Sequence, residues 1–170
     1  PGAAYPEMAR IAVGSDGVAH AVWESWQALI YYAARPLGGE WGAPQQISVD
    51  GPLMGQAVLA LHPTSNARFA AWEQDIEYTD VFTSQSAIFF TSAGPGIAGE
   101  WAEPINIAGL TRNASAPVLL VDSSGAVHAV WAAELESDTA QIFYRRRSAA
   151  GDWGPIAPVA QRPGLCETPS

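Results

Sequence analysis

Three short motifs recur in the same order three times along this chain, and that periodicity restricts the fold more than any other feature. The first is a turn residue followed by a run ending in Trp: Gly17-Val-Ala-His20-Ala-Val-Trp23, Asn66-Ala-Arg-Phe69-Ala-Ala-Trp72 and Gly125-Ala-Val-His128-Ala-Val-Trp131. The second is an apolar-aromatic triplet: Ile30-Tyr31-Tyr32, Ile88-Phe89-Phe90 and Ile142-Phe143-Tyr144. The third is a small-acidic-Trp turn: Gly39-Glu40-Trp41, Gly99-Glu100-Trp101 and Gly151-Asp152-Trp153. The turn residue six before the first Trp is Gly, Asn or Gly. These residues tolerate a left-handed backbone, so the position answers to geometry.

Each copy reads as four short strands. Strand a is the apolar run before the first motif, at Ile11 to Val13, Val58 to Leu61 and Val118 to Val121. Strand b ends at the Trp and strand c carries the aromatic triplet. Strand d follows the third motif, at Pro44 to Ile47, Pro104 to Ile107 and Pro155 to Val159. The β-branched and aromatic content and the Gly, Pro, Asn and Asp punctuation fit strands, and no long stretch holds a helical period. Strand a, apolar at nearly every position, is expected to be buried on both faces as an innermost strand. Strand d, with its prolines, suits an outer edge where a missing N–H costs least.

Four-stranded antiparallel units repeating every 50 to 60 residues or so have the length of propeller blades. The fold class expected is therefore all-β, with three propeller blades. Their boundaries are an extension at 1–7, blades at 8–50, 51–109 and 110–160, and a tail at 161–170. Propellers have about four to eight blades, and a blade needs neighbours on both faces. Three blades leave two apolar faces open, so closure by a second copy or by other subunits is expected. A C2 dimer forming a six-bladed ring is the simplest such solution.

The blade pattern resembles the repeats of sialidase-like, BNR-type β-propellers. There the turn between the third and fourth strands carries an Asp box, roughly Ser-x-Asp-x-Gly-x-x-Trp, followed by a small residue and Pro. The matching segments here end in Gly39-Glu-Trp41-Gly-Ala-Pro44, Gly99-Glu-Trp101-Ala-Glu-Pro104 and Gly151-Asp-Trp153-Gly-Pro155. Gly and Trp are kept, while the box's Ser and Asp are lost in all three copies. A working enzyme of that family would need three arginines gripping a substrate carboxylate, a Tyr–Glu nucleophile pair and an acidic proton donor. That set is not assignable among Arg10, Arg35, Arg68, Arg112, Arg145, Arg146, Arg147 and Arg162. Adjacent Arg145, Arg146 and Arg147 alternate faces on a strand and do not converge.

Loop variation marks the functional end. From the strand-b Trp to the strand-c Ile the spacing is 7, 16 and 11 residues in the three copies, and variable loops on a constant scaffold are where binding sits. The longest such stretch holds Glu73, Asp75, Glu77, Tyr78 and Asp80, and the third copy supplies Glu134, Glu136 and Asp138. This acidic cluster reads as a solvated loop, as a Ca²⁺ site, or as a carbohydrate or peptide contact with Trp26 or Tyr78 as a stacking surface. Trp26 is the one Trp outside the repeat, whereas Trp23, Trp72, Trp131, Trp41, Trp101 and Trp153 are expected in the blade core. His20 and His128 share a repeat position with Phe69, so a flat packed side chain is the common requirement. His62 shows no partner in the sequence. Asn113-Ala-Ser115 matches a glycosylation acceptor, placed in a d–a loop.

Composition removes several classes of function. A net charge of −9 disfavours nucleic acid and anionic membranes as partners, and no apolar run approaches the ~20 residues of a membrane span. Lone Cys166 forms no internal disulfide; it is an inert thiol or an intermolecular link. Few His and one Cys make zinc a poor fit, so no cofactor is expected, with Ca²⁺ as the one metal the acids would suit. The start at Pro1 suggests a processed chain or a piece of a longer one and, with the resemblance, an extracellular or cell-surface location. Two functions from different classes remain. One is a non-enzymatic interaction module or structural subunit that contacts glycans or proteins. The other is a fragment of a sialidase-like glycoside hydrolase.

Overall fold

A computed structural model describes residues 6–25, 27–50, 54–77, 85–97, 99–109, 112–134 and 140–159. The described residues form strands and turns without a helix. Blade 1 holds β1 (Pro6–Val13), β2 (Ala19–Ser25), β3 (Ile30–Arg35) and β4 (Gln45–Gln46). Blade 2 holds β5 (Met54–Leu61), β6 (Arg68–Glu77), β7 (Gln85–Ala93) and β8 (Ile105–Asn106). Blade 3 holds β9 (Arg112–Val121), β10 (Val127–Glu134), β11 (Ala140–Arg147) and β12 (Ala157–Pro158). Each blade is a four-stranded sheet with its strands in sequence order, and every pairing is antiparallel. The expected a-b-c-d assignment holds throughout. β1 starts at Pro6, two residues ahead of the start expected for blade 1, and each strand d shrinks to two residues.

The a–b turns close as the repeated turn residue dictates. Gly17, Asn66 and Gly125 adopt φ of 78°, 57° and 85°. Asn66 also does chemistry that a Gly could not: its buried Oδ1 accepts from the Ser15 N–H at 2.9 Å and the Ser15 hydroxyl at 3.1 Å, tying blade 2 to the turn of blade 1. His62 has partners as well, because its Nδ1 accepts from the N–H groups of Thr64 and Ser65 and closes its own turn.

Strand a carries a bulge in every blade. The register against strand b slips between Glu7 and Arg10, between Gly55 and Val58, and beside Ser115. At each slip a non-Gly residue takes the left-handed region: Met8 at φ 49°, Gln56 at 49° and Ala116 at 52°. Side chains with a Cβ lose about 1–2 kcal/mol in that conformation, so the thrice-repeated bulge is held by its surroundings.

Two cores form, one in each blade-to-blade joint. Between blades 1 and 2, Val22, Ile30, Tyr32 and Ile47 pack against Ala57, Ala70 and Trp72. Between blades 2 and 3, Phe69, Ile88, Phe90 and Ile107 pack against Val127, Ala129, Trp131 and Phe143. The outer faces of blades 1 and 3 have no such cover among the described residues, and the repeat makes the comparison direct. Ile47 and Ile107 are 4% and 0% exposed, while Val159, at the same position in blade 3, is 59% exposed. Leu59 and Leu119 pack into the cores, while Ile11, their counterpart in blade 1, is 66% exposed.

Two expectations need correction on this account. Trp41 is not core: it is 45% exposed, because among the described residues no sheet lies on its side of blade 1. Nor is strand a buried on both faces in every copy, since Ile11, Val13, Val118 and Leu120 are exposed. Asn113 also lies within β9 and not in a d–a loop.

Candidate functional site

Antiparallel order brings the b–c connections and the starts of the a strands to one end of the three blades, beside the bulges. Much of the expected acidic loop is strand there, because β6 runs on to Glu77. Asp75 pairs with Ser86 and Glu77 with Gln85 in the β6–β7 ladder. Glu73 and Asp75 therefore sit two apart on one face of a strand, a fixed geometry that a loop would not provide. Tyr78, Asp80, Trp26, Glu136 and Asp138 lie outside the described residues, as does Cys166. Glu134 ends β10, and its Oε2 accepts from Asn113 Nδ2 at 2.6 Å. Asn113 Nδ2, the nitrogen a glycan would use, is thus engaged within its own sheet.

Glu73 is the residue whose environment stands out. Burial first, then the neighbouring charge of Asp75 and, more weakly, that of Glu24 push its carboxyl above the ordinary 4.5. A hydrogen bond from the Ala116 N–H opposes them. Asp75 is also raised from 3.8, by burial. Glu73 thus reaches the bulge residue of the next blade. Glu24 makes the corresponding reach from blade 1, its Oε2 lying 3.6 Å from where a Cβ on Gly55 would stand. Glu24 was not singled out from the sequence, and Glu73 was read only as one member of the acidic stretch. The signal was available: both directly follow the strand-b Trp, at Trp23 and Trp72, where the third copy has Ala132. Among the described residues no three His, Cys, Asp or Glu side chains gather as a metal site would need.

Arg35, Arg68, Arg145 and Arg147 occupy the opposite end, where the a–b and c–d turns emerge, whereas Arg112 opens β9 at the b–c end, opposite Glu134. Arg68 is fully buried; it donates to the Tyr32 hydroxyl at 3.0 Å and to the carbonyls of Ile97, Gly94 and Gly99 at 3.2, 3.2 and 2.9 Å. Arg145 donates to Gly154 O at 2.8 Å and Ile107 O at 3.0 Å, and its guanidinium lies over Trp153. Arg147 lies over Phe90 and Arg35 donates to Gly39 O at 2.8 Å. As the alternation requires, Arg145 and Arg147 share a face and Arg146 points away, exposed.

The repeated histidines pack, as their shared position with Phe69 implies, but each is also half of a polar pair. His20 Nδ1 lies 2.6 Å from the Tyr32 hydroxyl, and His128 Nδ1 lies 2.9 Å from that of Tyr144. Phe69 and Phe90 stack in the same place in blade 2. His128 Nε2 further contacts Asp122 Oδ2 at 3.1 Å. Hydrogen bonds from Ser124 and His128 hold the Asp122 carboxyl well below the usual range.

No protein-family model and no curated protein sequence matches the chain. Solved structures do. The chain is similar to the "Hadza microbial sialidase Hz136", with TM-score 0.63 and 10% identity over 87% of this chain and 36% of that one. It is also similar to the Penicillium chrysogenum α-L-arabinanase complexed with arabinobiose, with TM-score 0.62 and 17% identity over 93% of this chain and 50% of that one. This chain therefore spans half or less of the length of these structures. At such identities the likeness establishes a shared fold, the sialidase-like β-propeller, and nothing narrower.

Proposed function

We propose that the chain is a propeller segment acting as a non-enzymatic interaction module, whose b–c end contacts hydroxyl-rich partners such as glycans. One observation carries this reading: a group of carboxylates gathers at the variable b–c end, where Arg112 opens β9, while four arginines are held at the other end beside Asp16, Glu40, Glu100, Asp122 and Asp152. Glu24, Glu73, Asp75 and Glu134 line the variable end. Arg35, Arg68, Arg145 and Arg147 are committed to carbonyls and aromatic rings at the other. An end rich in carboxylates offers acceptors to sugar hydroxyls and repels anionic sugars, the reverse of an arginine grip on a carboxylate substrate. On the same reading, further blades from another copy or another subunit cover the two open faces. The test is a glycan array with the native assembly, using neutral and anionic sugars. Retention of neutral glycans that is lost in Glu73→Gln/Asp75→Asn supports the proposal; binding confined to anionic glycans, or none at all, overturns it.

A second reading, a glycoside hydrolase fragment, is favoured by the raised carboxyl of Glu73 beside Asp75, since a proton-donating acid needs such a shift. It predicts turnover of fluorogenic glycosides that disappears when Glu73, Asp75, Glu77 and Asp80 are neutralised. A panel without turnover removes it.

A further inference from the structure

We infer that two copies of this chain close a six-bladed ring, the open face of blade 3 in each copy receiving the open face of blade 1 in the other. This rests on the propeller-segment part of the reading above and not on its ligand. The two joints inside the chain show what such a contact requires. In the first, the ring of Tyr32 receives the edge of Trp101 at 5.1 Å and 71°, with the Arg68 guanidinium 5.2 Å from its centroid. In the second, Phe90 receives the edge of Trp153 at 5.0 Å and 90°, with the Arg147 guanidinium at 5.8 Å. Each joint is an aromatic receptor on strand c, a Trp edge from the following blade, and an arginine of that blade laid on the receptor.

A third set of the same parts stands unused on the two outer faces. Tyr144 occupies the repeat position of Tyr32 and Phe90, Trp41 that of Trp101 and Trp153, and Arg35 that of Arg147. The apolar surroundings match as well: Val118, Leu120 and Val159 are exposed on blade 3, and Ile11, Val13 and Trp41 on blade 1. Receptor and edge lie at opposite ends of the chain's blade stack, so one copy cannot bring its own pair together in a ring of three. Two copies of these three blades give six under a two-fold axis, within the range of about four to eight that propellers take.

The experiment is the mass in solution of the wild type, Trp41→Asp, Tyr144→Asp and an equimolar mixture of the two variants, by light scattering. Far-UV circular dichroism serves as the folding control. The expected wild-type mass is twice the 17.9 kDa of one chain. Each variant alone damages both joints of the ring and gives the one-copy mass. The mixture recovers the two-copy mass at higher concentration, because one of its two joints is wild type on both sides. A wild type that stays at one-copy mass, a mass above two copies, folded variants that still dimerise, or a mixture that stays monomeric overturns the inference. A failed glycan array leaves all of these masses unchanged, so the two failures are distinguishable.

Discussion

The indole of Trp101 stands edge-on to the ring of Tyr32, 5.1 Å between centroids at 71°, although the two residues belong to different sheets. Side chains therefore hold these sheets together, and the Trp of the c–d turn is the part that reaches across. The Trp of the Gly-acid-Trp turn thus works as a joint between blades, Trp101 between the first two and Trp153 between the second and third.

The same repeat position should behave in opposite ways in different blades. Trp153→Ala removes an indole packed on Phe90 and beneath Arg145 and should lower stability by about 2–4 kcal/mol. Trp41→Ala, measured at dilutions where the chain is a single copy, should change it by no more than about 0.5 kcal/mol. Urea unfolding of the two variants checks the contrast; equal losses would contradict the joint.

Arg68 presents a buried cation whose hydrogen bonds run to three carbonyls and a phenol. Arg68→Met keeps the length of the stem but leaves those buried acceptors without their donor, at a cost on the order of 3 kcal/mol. Arg68→Lys should recover only part of the loss, because one ammonium cannot span the same fork of acceptors. A denaturation midpoint for Arg68→Lys equal to wild type would show that charge alone matters there.

His20 should make the first joint sensitive to acid. Burial, followed by the nearby Arg68 charge, lowers its pKa from the ordinary 6.5, and its Nε2 is buried without a hydrogen-bond partner among the described residues. The unfolded chain then binds the extra proton first, so stability falls as pH drops below 6.5 towards the folded-state value. His20→Phe copies the Phe69 arrangement of blade 2. It should lose about 1 kcal/mol at neutral pH with the Tyr32 hydrogen bond, while showing a shallower decline below pH 6.5. Parallel pH profiles for the two proteins would assign the acid sensitivity elsewhere.

The sequence made the blades legible because the Trp and triplet positions recur whatever covers them. Burial was less legible, because it belongs to the neighbour: Val159 reads like Ile107, yet one is exposed and the other is not. Hydrogen-bonded pairs such as His20 with Tyr32 hid behind the Phe69 substitution, which keeps the shape and drops the polar atoms. The site was half visible. Acidic content marked the end where Glu24, Glu73 and Asp75 gather, but the apparent loop from Glu73 to Glu77 is strand, since the alternation of Glu73, Asp75 and Glu77 looks polar throughout when one face is not seen against the next blade.

The bulge offers a test of strain independent of any ligand. Ala116 holds φ of 52°, a conformation that glycine enters without the Cβ penalty. Ala116→Gly should therefore raise stability by up to about 1 kcal/mol, whereas Ala129→Gly, in the regular part of β10, should lower it. A loss at both positions would mean the bulge is unstrained.

Glu73 joins that bulge to the candidate site, and its titration has a definite sign. Its carboxyl is raised by burial and by Asp75 while still accepting the Ala116 N–H. The folded protein therefore binds the proton more readily than the unfolded chain, and the stability this supplies is complete below pH 4.5 and lost as pH rises through the folded-state value. At neutral pH the charged group burdens the fold. Glu73→Gln retains an oxygen for the Ala116 N–H and removes the charge, so the variant should be more stable than wild type at pH 7. That advantage should vanish as pH approaches 4.5. Stability gained together with a loss of glycan retention would identify Glu73 as a carboxylate kept for binding against its cost to folding. Stability gained with retention unchanged would make it a strut of the bulge alone.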